Sequence, residues 1–170
     1  SSEYAKKYDL QSASYNRQPG GYRRNPILNS IFKSFSCNKH LSIKLKFKEK
    51  IQRIKLFLKT IDKLKNKNDL YNLNIDNIWI GIDVYENILR GLLPTVIIES
   101  INTKKNIYKS LKYFIYFKRL FEEKKIAALL ISHDTYIATG IPMKLAFHYK
   151  IPVLFANPRE IIQVEKPHQL

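Results

Sequence analysis

Apolar residues between positions 41 and 68 recur at spacings of four and three: Phe47, Ile51, Ile54, Leu58, Ile61 and Leu64 fall on one side of a helix. Lys48, Lys55, Lys59 and Lys63 lie on the other side. The pattern predicts a helix that covers a sheet and keeps its lysines in water, and it also fits a helix lying on a membrane surface. A second long helix is expected over residues 103–125, with Ile107, Leu111, Phe114, Phe117 and Phe121 forming an aromatic-rich core face. Between the two come a polar link at 74–77, the apolar run Ile78-Trp79-Ile80, a short helix over 83–90 ended by Gly91, and a segment at 94–98 that fits extended or helical structure.

Residues 126–132 read as a strand, 140–149 as a helix, 151–155 as a strand, and 161–164 as a further short strand. Strand, helix and strand joined by short links predict a right-handed parallel unit. The expected fold class is therefore α/β, with an open parallel sheet flanked by helices. Upstream, residues 1–25 mix Ser, Tyr, Gln, Asn and Gly-Gly without periodicity and read as an irregular basic arm. Residues 27–35 fit a short helix, after which Ser36-Cys37-Asn38 breaks the pattern. Residues 26–170 are read as one domain, and the Ser at position 1 and the close at Leu170 as the ends of a fragment.

Composition changes this picture in two places. A formal charge of +16 would ordinarily suggest nucleic acid or an anionic membrane. The excess is mostly lysine spread along helices, with abundant Asn and Ile, so A/T-rich coding bias accounts for it and no specific nucleic-acid partner is expected. The single cysteine, Cys37, excludes an internal disulfide and multi-cysteine zinc sites, and fits a reducing cytoplasm. No run reaches the roughly 18 apolar residues of a membrane span, and no signal-peptide pattern opens the chain.

The sequence lacks Gly-x-Gly-x-x-Gly, a Gly-Lys-Ser/Thr phosphate loop, His-Glu-x-x-His, Gly-x-Ser-x-Gly and Asp-x-Asp. Self-contained nucleotide hydrolysis, zinc proteolysis and serine hydrolysis are disfavoured, and no metal site is expected. What remains is Ser132-His133-Asp134 at the end of an apolar strand, where ligands of open α/β sheets bind. His133 can exchange a proton near neutrality and Asp134 can orient it or act as base, or His133 is a hydrogen-bonded structural residue. Tyr136 fits sugar stacking or core capping equally. Gly140 fits close approach of a phosphate to helix amides, or a glycine before Pro142 in the first helical turn. Tyr85 and Arg90 lie in one short segment with Asp83 and Glu86; Arg90 either pairs with Glu86 four residues back or grips a phosphate or carboxylate.

Ile80-Gly81-Ile82-Asp83-Val84-Tyr85-Glu86-Asn87-Ile88-Leu89-Arg90, then Pro94-Thr95, then Ser132-His133-x-x-Tyr136-x-x-x-Gly140-Ile141, and finally Ile151-Pro152-Val153 together resemble the amino-terminal half of bacterial capsule and surface-polysaccharide biosynthesis proteins. Phe32-Lys33-Ser34-Phe35 is similar to an upstream aromatic segment of that family. Ile82 stands where an acidic residue is expected, Asp83 is displaced by one place, Glu86 replaces Asp, and Lys150 stands where Gly is usual. Tyr85, Arg90, His133, Tyr136 and Gly140 match.

The resemblance implies a two-domain glycosyltransferase of GT-B type with Rossmann-like halves, this chain being the acceptor side. His133 with Asp134 would be the catalytic pair, Tyr136 a sugar contact, Tyr85 a further substrate-binding residue, and Arg90 and the amides near Gly140 anion contacts. It further implies a polysaccharide or lipid-linked saccharide acceptor and a second, donor-binding domain that holds a nucleotide sugar. No cofactor is implied in this chain, and a cytoplasmic location, peripheral to the inner membrane face, is expected.

Overall fold

A computed structural model of the chain describes residues 12–15, 37–91, 95–156 and 159–165. The chain divides into two units, Ser1–Lys44 and Leu45–Leu170. In the first, β1 (Ser12–Tyr15) pairs in parallel with β2 (Cys37–Leu41), Ser12 opposite Cys37 and Tyr15 opposite Leu41. These strands correct two expectations, since β1 lies in the arm read as irregular and β2 begins at the expected break. The short helix over 27–35, the domain boundary near 25 and Phe32-Lys33-Ser34-Phe35 lie outside the described residues.

The second unit opens with α1 (Phe47–Lys63) and α2 (Lys67–Tyr71). Asn66 caps α2 by accepting from the Asp69 amide while Asp69 accepts from Asn66 N, a reciprocal box at the helix start. The polar link at 74–77 proves to be part of a hairpin of β3 (Asn74–Ile75) and β4 (Ile78–Trp79). Its turn residues Asp76 and Asn77 both have positive φ, 50° and 62°, the conformation that a two-residue hairpin turn requires and that Asp and Asn tolerate best. Then come α3 (Gly81–Leu89) and α4 (Ile101–Glu123), the latter capped by Ser100 Oγ on the Thr103 amide. Ile107, Leu111, Phe114, Phe117 and Phe121 of α4 are all buried, as the periodicity predicts.

After α4 the chain runs through β5 (Leu129–Ile131), a π-helical turn (Tyr136–Gly140), α5 (Ile141–His148), β6 (Val153–Ala156) and β7 (Ile161–Val164). Residues 141–146 of α5 are buried without exception, which makes this helix the centre of the unit. It packs against α4, the π turn, β4, β5 and β6. β5 and β6 are parallel, Leu129 opposite Val153 and Ile131 opposite Phe155, as the strand–helix–strand order requires. β7 is antiparallel to β6, with Val153 opposite Val164. The four residues between β6 and β7 are too few for the crossover that a parallel neighbour needs.

The fold is therefore mixed α/β, with small sheets in place of one wholly parallel sheet. Nor is the three-stranded sheet buried on both faces. Leu129, Ile131, Val153 and Val164 are buried, whereas Leu130 and Ile161 are 57% and 63% exposed.

Helix α1 departs most from expectation, because it lies on α4 and not on a sheet. Arg119 Nη1 donates to Glu49 Oε2 at 2.6 Å, Arg53 sits 3.7 Å from the Tyr108 ring centroid, and Phe57 meets Tyr108 edge-on at 5.2 Å. Thr60 and Leu64 complete the packed side. Glu49, Arg53, Phe57, Thr60 and Leu64 form a stripe about a third of a turn from the apolar face read in the sequence. Phe47, Ile51, Ile54 and Leu58 of that face are exposed.

Gly81 opens α3 against the backbone of α2. A Cβ there would stand 2.2 Å from the Tyr71 carbonyl oxygen and 2.3 Å from that of Leu70, both backbone atoms of a capped helix. Gly81→Ala is therefore expected to lower stability by about 1–3 kcal/mol or more, since the obstruction is main chain and cannot rotate away. Denaturant unfolding of the two proteins checks this, and a change within a few tenths of a kcal/mol would show that the contact is soft.

Candidate functional site

Strand β5 delivers its last buried residue, Ile131, to the sheet edge, and the next two, Ser132 and His133, emerge into solvent. Ser132 Oγ lies 3.0 Å from His133 Nδ1. If Nδ1 carries the proton, it donates to the serine oxygen and leaves Nε2 with its lone pair, the form that accepts a proton. Tyr136 follows at φ 70°, a left-handed conformation that costs a residue with a Cβ about 1–3 kcal/mol. It opens the π turn, within which the Thr139 hydroxyl donates to the Thr135 carbonyl. Pro142 sits in the first turn of α5; it has no N–H, and its ring crowds the carbonyl four residues back. Widening the preceding turn to π spacing relieves that crowding.

The Tyr136 ring is tilted against His133 at 6.4 Å between centroids, and on it rests Arg90, whose guanidinium carbon is 4.7 Å from the ring centroid. Three of the predicted residues, Arg90, His133 and Tyr136, are thus brought together from two separate segments. Arg90 is exposed and is not paired with Glu86, so the i,i+4 surface pair is replaced by this aromatic contact.

Next to this group, in which Arg90 and His133 are exposed and Tyr136 is half-buried, lies a buried ion pair. Lys144 Nζ donates to Asp83 Oδ2 at 2.8 Å, with the two side chains 5% and 0% exposed. Asp83 Oδ1 has no hydrogen-bond partner and faces Gly140, where a Cβ would come within 1.8 Å of it. The Lys144 ammonium also lies 5.1 Å from the Trp79 ring centroid. Burial pushes the Asp83 carboxyl up to about 7, outweighing the attraction of Lys144, and the Asp134 charge adds to the rise. Burial likewise lowers Lys144, against the pull of Asp83 and Asp134.

Gly140 is consequently buried and continues from π into α helix, with a carboxylate already set against it, so the position expected to admit a phosphate is filled from within. Asp134 is half-buried and makes no hydrogen bond to His133, whose ring nitrogen neighbour is Ser132. Tyr85 belongs to a different group: it meets Tyr71 edge-on at 5.9 Å, and Tyr71 meets Trp79 at 5.4 Å while accepting on its carbonyl from the Trp79 indole. Ser132, Lys144 and Asp83 carry roles that sequence reasoning did not assign. The signal for the last two was present, because each is the lone charge in an apolar run, Gly81-Ile82-Asp83-Val84 and Ile141-Pro142-Met143-Lys144-Leu145-Ala146, and such a charge needs a partner.

Among the described residues, no three His, Cys, Asp or Glu side chains converge as a metal site, and no helix is long and apolar enough to cross a membrane. No protein-family model, curated protein or solved structure matches the chain.

The raised Asp83 group sets a pH dependence. Its ordinary value is 3.8 and its folded value about 7, so between these the folded chain holds a proton that the unfolded chain has released. Stability from this group is full below about 4 and is lost as pH rises through 7. The Asp83→Asn/Lys144→Met double variant removes both titrating groups and is expected to flatten this fall. Urea unfolding of both proteins at pH 5 and pH 8 provides the check; equal losses over that interval would show that Asp83 is ionised across the whole range.

Proposed function

We propose that residues 45–170 serve as the acceptor side of a glycosyltransferase that builds capsule or surface polysaccharide, with a Rossmann-like core reduced to a short sheet. The reading joins the family resemblance of the motifs to one observation: Arg90, His133 and Tyr136 converge, exposed or half-exposed, at the carboxyl end of a strand in a parallel pair. Tyr136 offers an aromatic body for the apolar face of a sugar ring. Arg90 offers a planar fork for a phosphate or carboxylate on a polysaccharide or lipid-linked saccharide acceptor. His133, with Ser132 on Nδ1, takes the proton from the attacking hydroxyl on Nε2. Asp134 acts through the local field, since its charge raises both Asp83 and Lys144.

The donor, a nucleotide sugar, would be held by a second domain, with transfer in the cytoplasm at the inner membrane face. The 170-residue chain alone is then expected to bind acceptor saccharide and to show negligible transfer, because no donor is positioned against the hydroxyl. In a protein that also carries the donor domain, His133→Ala should lower turnover by about a hundredfold or more, while Arg90→Ala should raise KM for an anionic acceptor. Product-detected assays with candidate nucleotide sugars decide the matter. Full transfer by the 170-residue chain alone would overturn the half-enzyme reading, and an unaffected His133→Ala would return that histidine to a structural role.

A further inference from the structure

On α1, residues Phe47, Ile51, Ile54 and Leu58 stand on one side over about three turns, and all are exposed, Phe47 by 76% and Leu58 by 62%. Four large apolar side chains in a row exceed the scattered single exposures that a protein surface ordinarily carries. Beside the row run Lys48, Lys55 and Lys59, spaced so that their stems lie along it. The charge is one-sided. Only two acids occur in α1: Glu49 is turned inward onto Arg119, and Asp62 falls in the last turn. From residue 50 to residue 61 the helix therefore presents apolar and cationic groups with no carboxylate. The chain as a whole carries +16.

An apolar stripe edged by lysines, on a helix whose other side is anchored to α4 through Glu49–Arg119, Arg53–Tyr108 and Phe57–Tyr108, matches an anionic bilayer surface. The apolar row enters the acyl boundary and the lysine ammoniums remain with the lipid phosphates. A second protein copy suits the surface poorly, because the lysine rows of two copies would repel across a symmetric contact. Nucleic acid would use the lysines and leave the apolar row in water. We infer that α1 is a membrane-docking helix that seats the protein on anionic lipid through Phe47, Ile51, Ile54 and Leu58, with Lys48, Lys55 and Lys59 at the headgroups. The inference does not depend on the saccharide-transfer reading, since it concerns a different surface.

The test is co-sedimentation of the 170-residue chain with vesicles of pure phosphatidylcholine and with vesicles of equimolar phosphatidylcholine and phosphatidylglycerol, at two salt concentrations. Binding is expected only to the anionic vesicles and should weaken with salt. The Lys48→Gln/Lys55→Gln/Lys59→Gln variant should bind about a hundredfold more weakly, and Ile54→Asp/Leu58→Asp at least about tenfold more weakly. The changed positions are on the exposed side of α1, and circular dichroism melts establish that each variant is folded. A charge-matched control, Lys104→Gln/Lys105→Gln/Lys125→Gln, should lose much less. Equal losses in both lysine triplets, or vesicle binding indifferent to Ile54→Asp/Leu58→Asp, would overturn the assignment. So would a dimer that Leu58→Asp dissolves without any vesicle binding, or nucleic-acid binding lost in the α1 lysine triplet alone.

Discussion

Everything around the candidate site is arranged by the need to bury one lysine. Helix α5 is enclosed by helices and strands, and Lys144 is the only ionisable residue among its six buried positions. Taking an ammonium out of water costs several kcal/mol unless a partner comes with it, and Asp83 supplies one from the first turn of α3, a hydrogen-bond acceptor throughout and a full counter-charge once pH rises through about 7. The pair ties α3 to α5, and the free oxygen of Asp83 leaves room opposite it for a residue without a side chain, Gly140. Helix register on both sides follows, because a slip of one turn on either helix would strand two charges in the core.

That register carries the exposed groups. Seven residues after Asp83, about two helical turns on and on the same side of α3, stands Arg90; four residues before Gly140, at the other end of the π turn, stands Tyr136. Fixing Asp83 against Gly140 therefore delivers a guanidinium to an aromatic face at the surface. The His133 ring then completes the group from the end of β5. The polar cluster at the surface is a product of the ion pair next to it.

Much of this was legible in the chain. The aromatic face of α4 has no competing pattern, and the core takes it. The link between β5 and β6 is long enough for a helix and short enough to force the parallel pairing, so it too could be read directly. Helix α1 could not, because periodicity reports that a face is apolar and says nothing of what meets it; its contacts with α4 run through Glu49, Arg53 and Phe57, two of them charged. The antiparallel β7 was legible only in the length of its link. At the site, the strand-end position singled out His133 and Tyr136, whereas Gly140 was open to two readings and the Asp83 carboxyl, 57 positions earlier in the sequence, decides between them.

The π turn before α5 has a consequence for how this molecule tolerates insertions and deletions. A π turn holds one residue more than an α turn, so Tyr136, at its first position, stands about 100° round the axis of α5 from where an α turn would place it. Loss of one residue between Tyr136 and Gly140 would shorten the turn to α spacing while Gly140 stayed opposite Asp83. The ring of Tyr136 would then swing by that same angle away from Arg90, and Ile137, buried within the turn, would leave its place in the core. Chain length in these five positions is thus held by the surface group and by the core together.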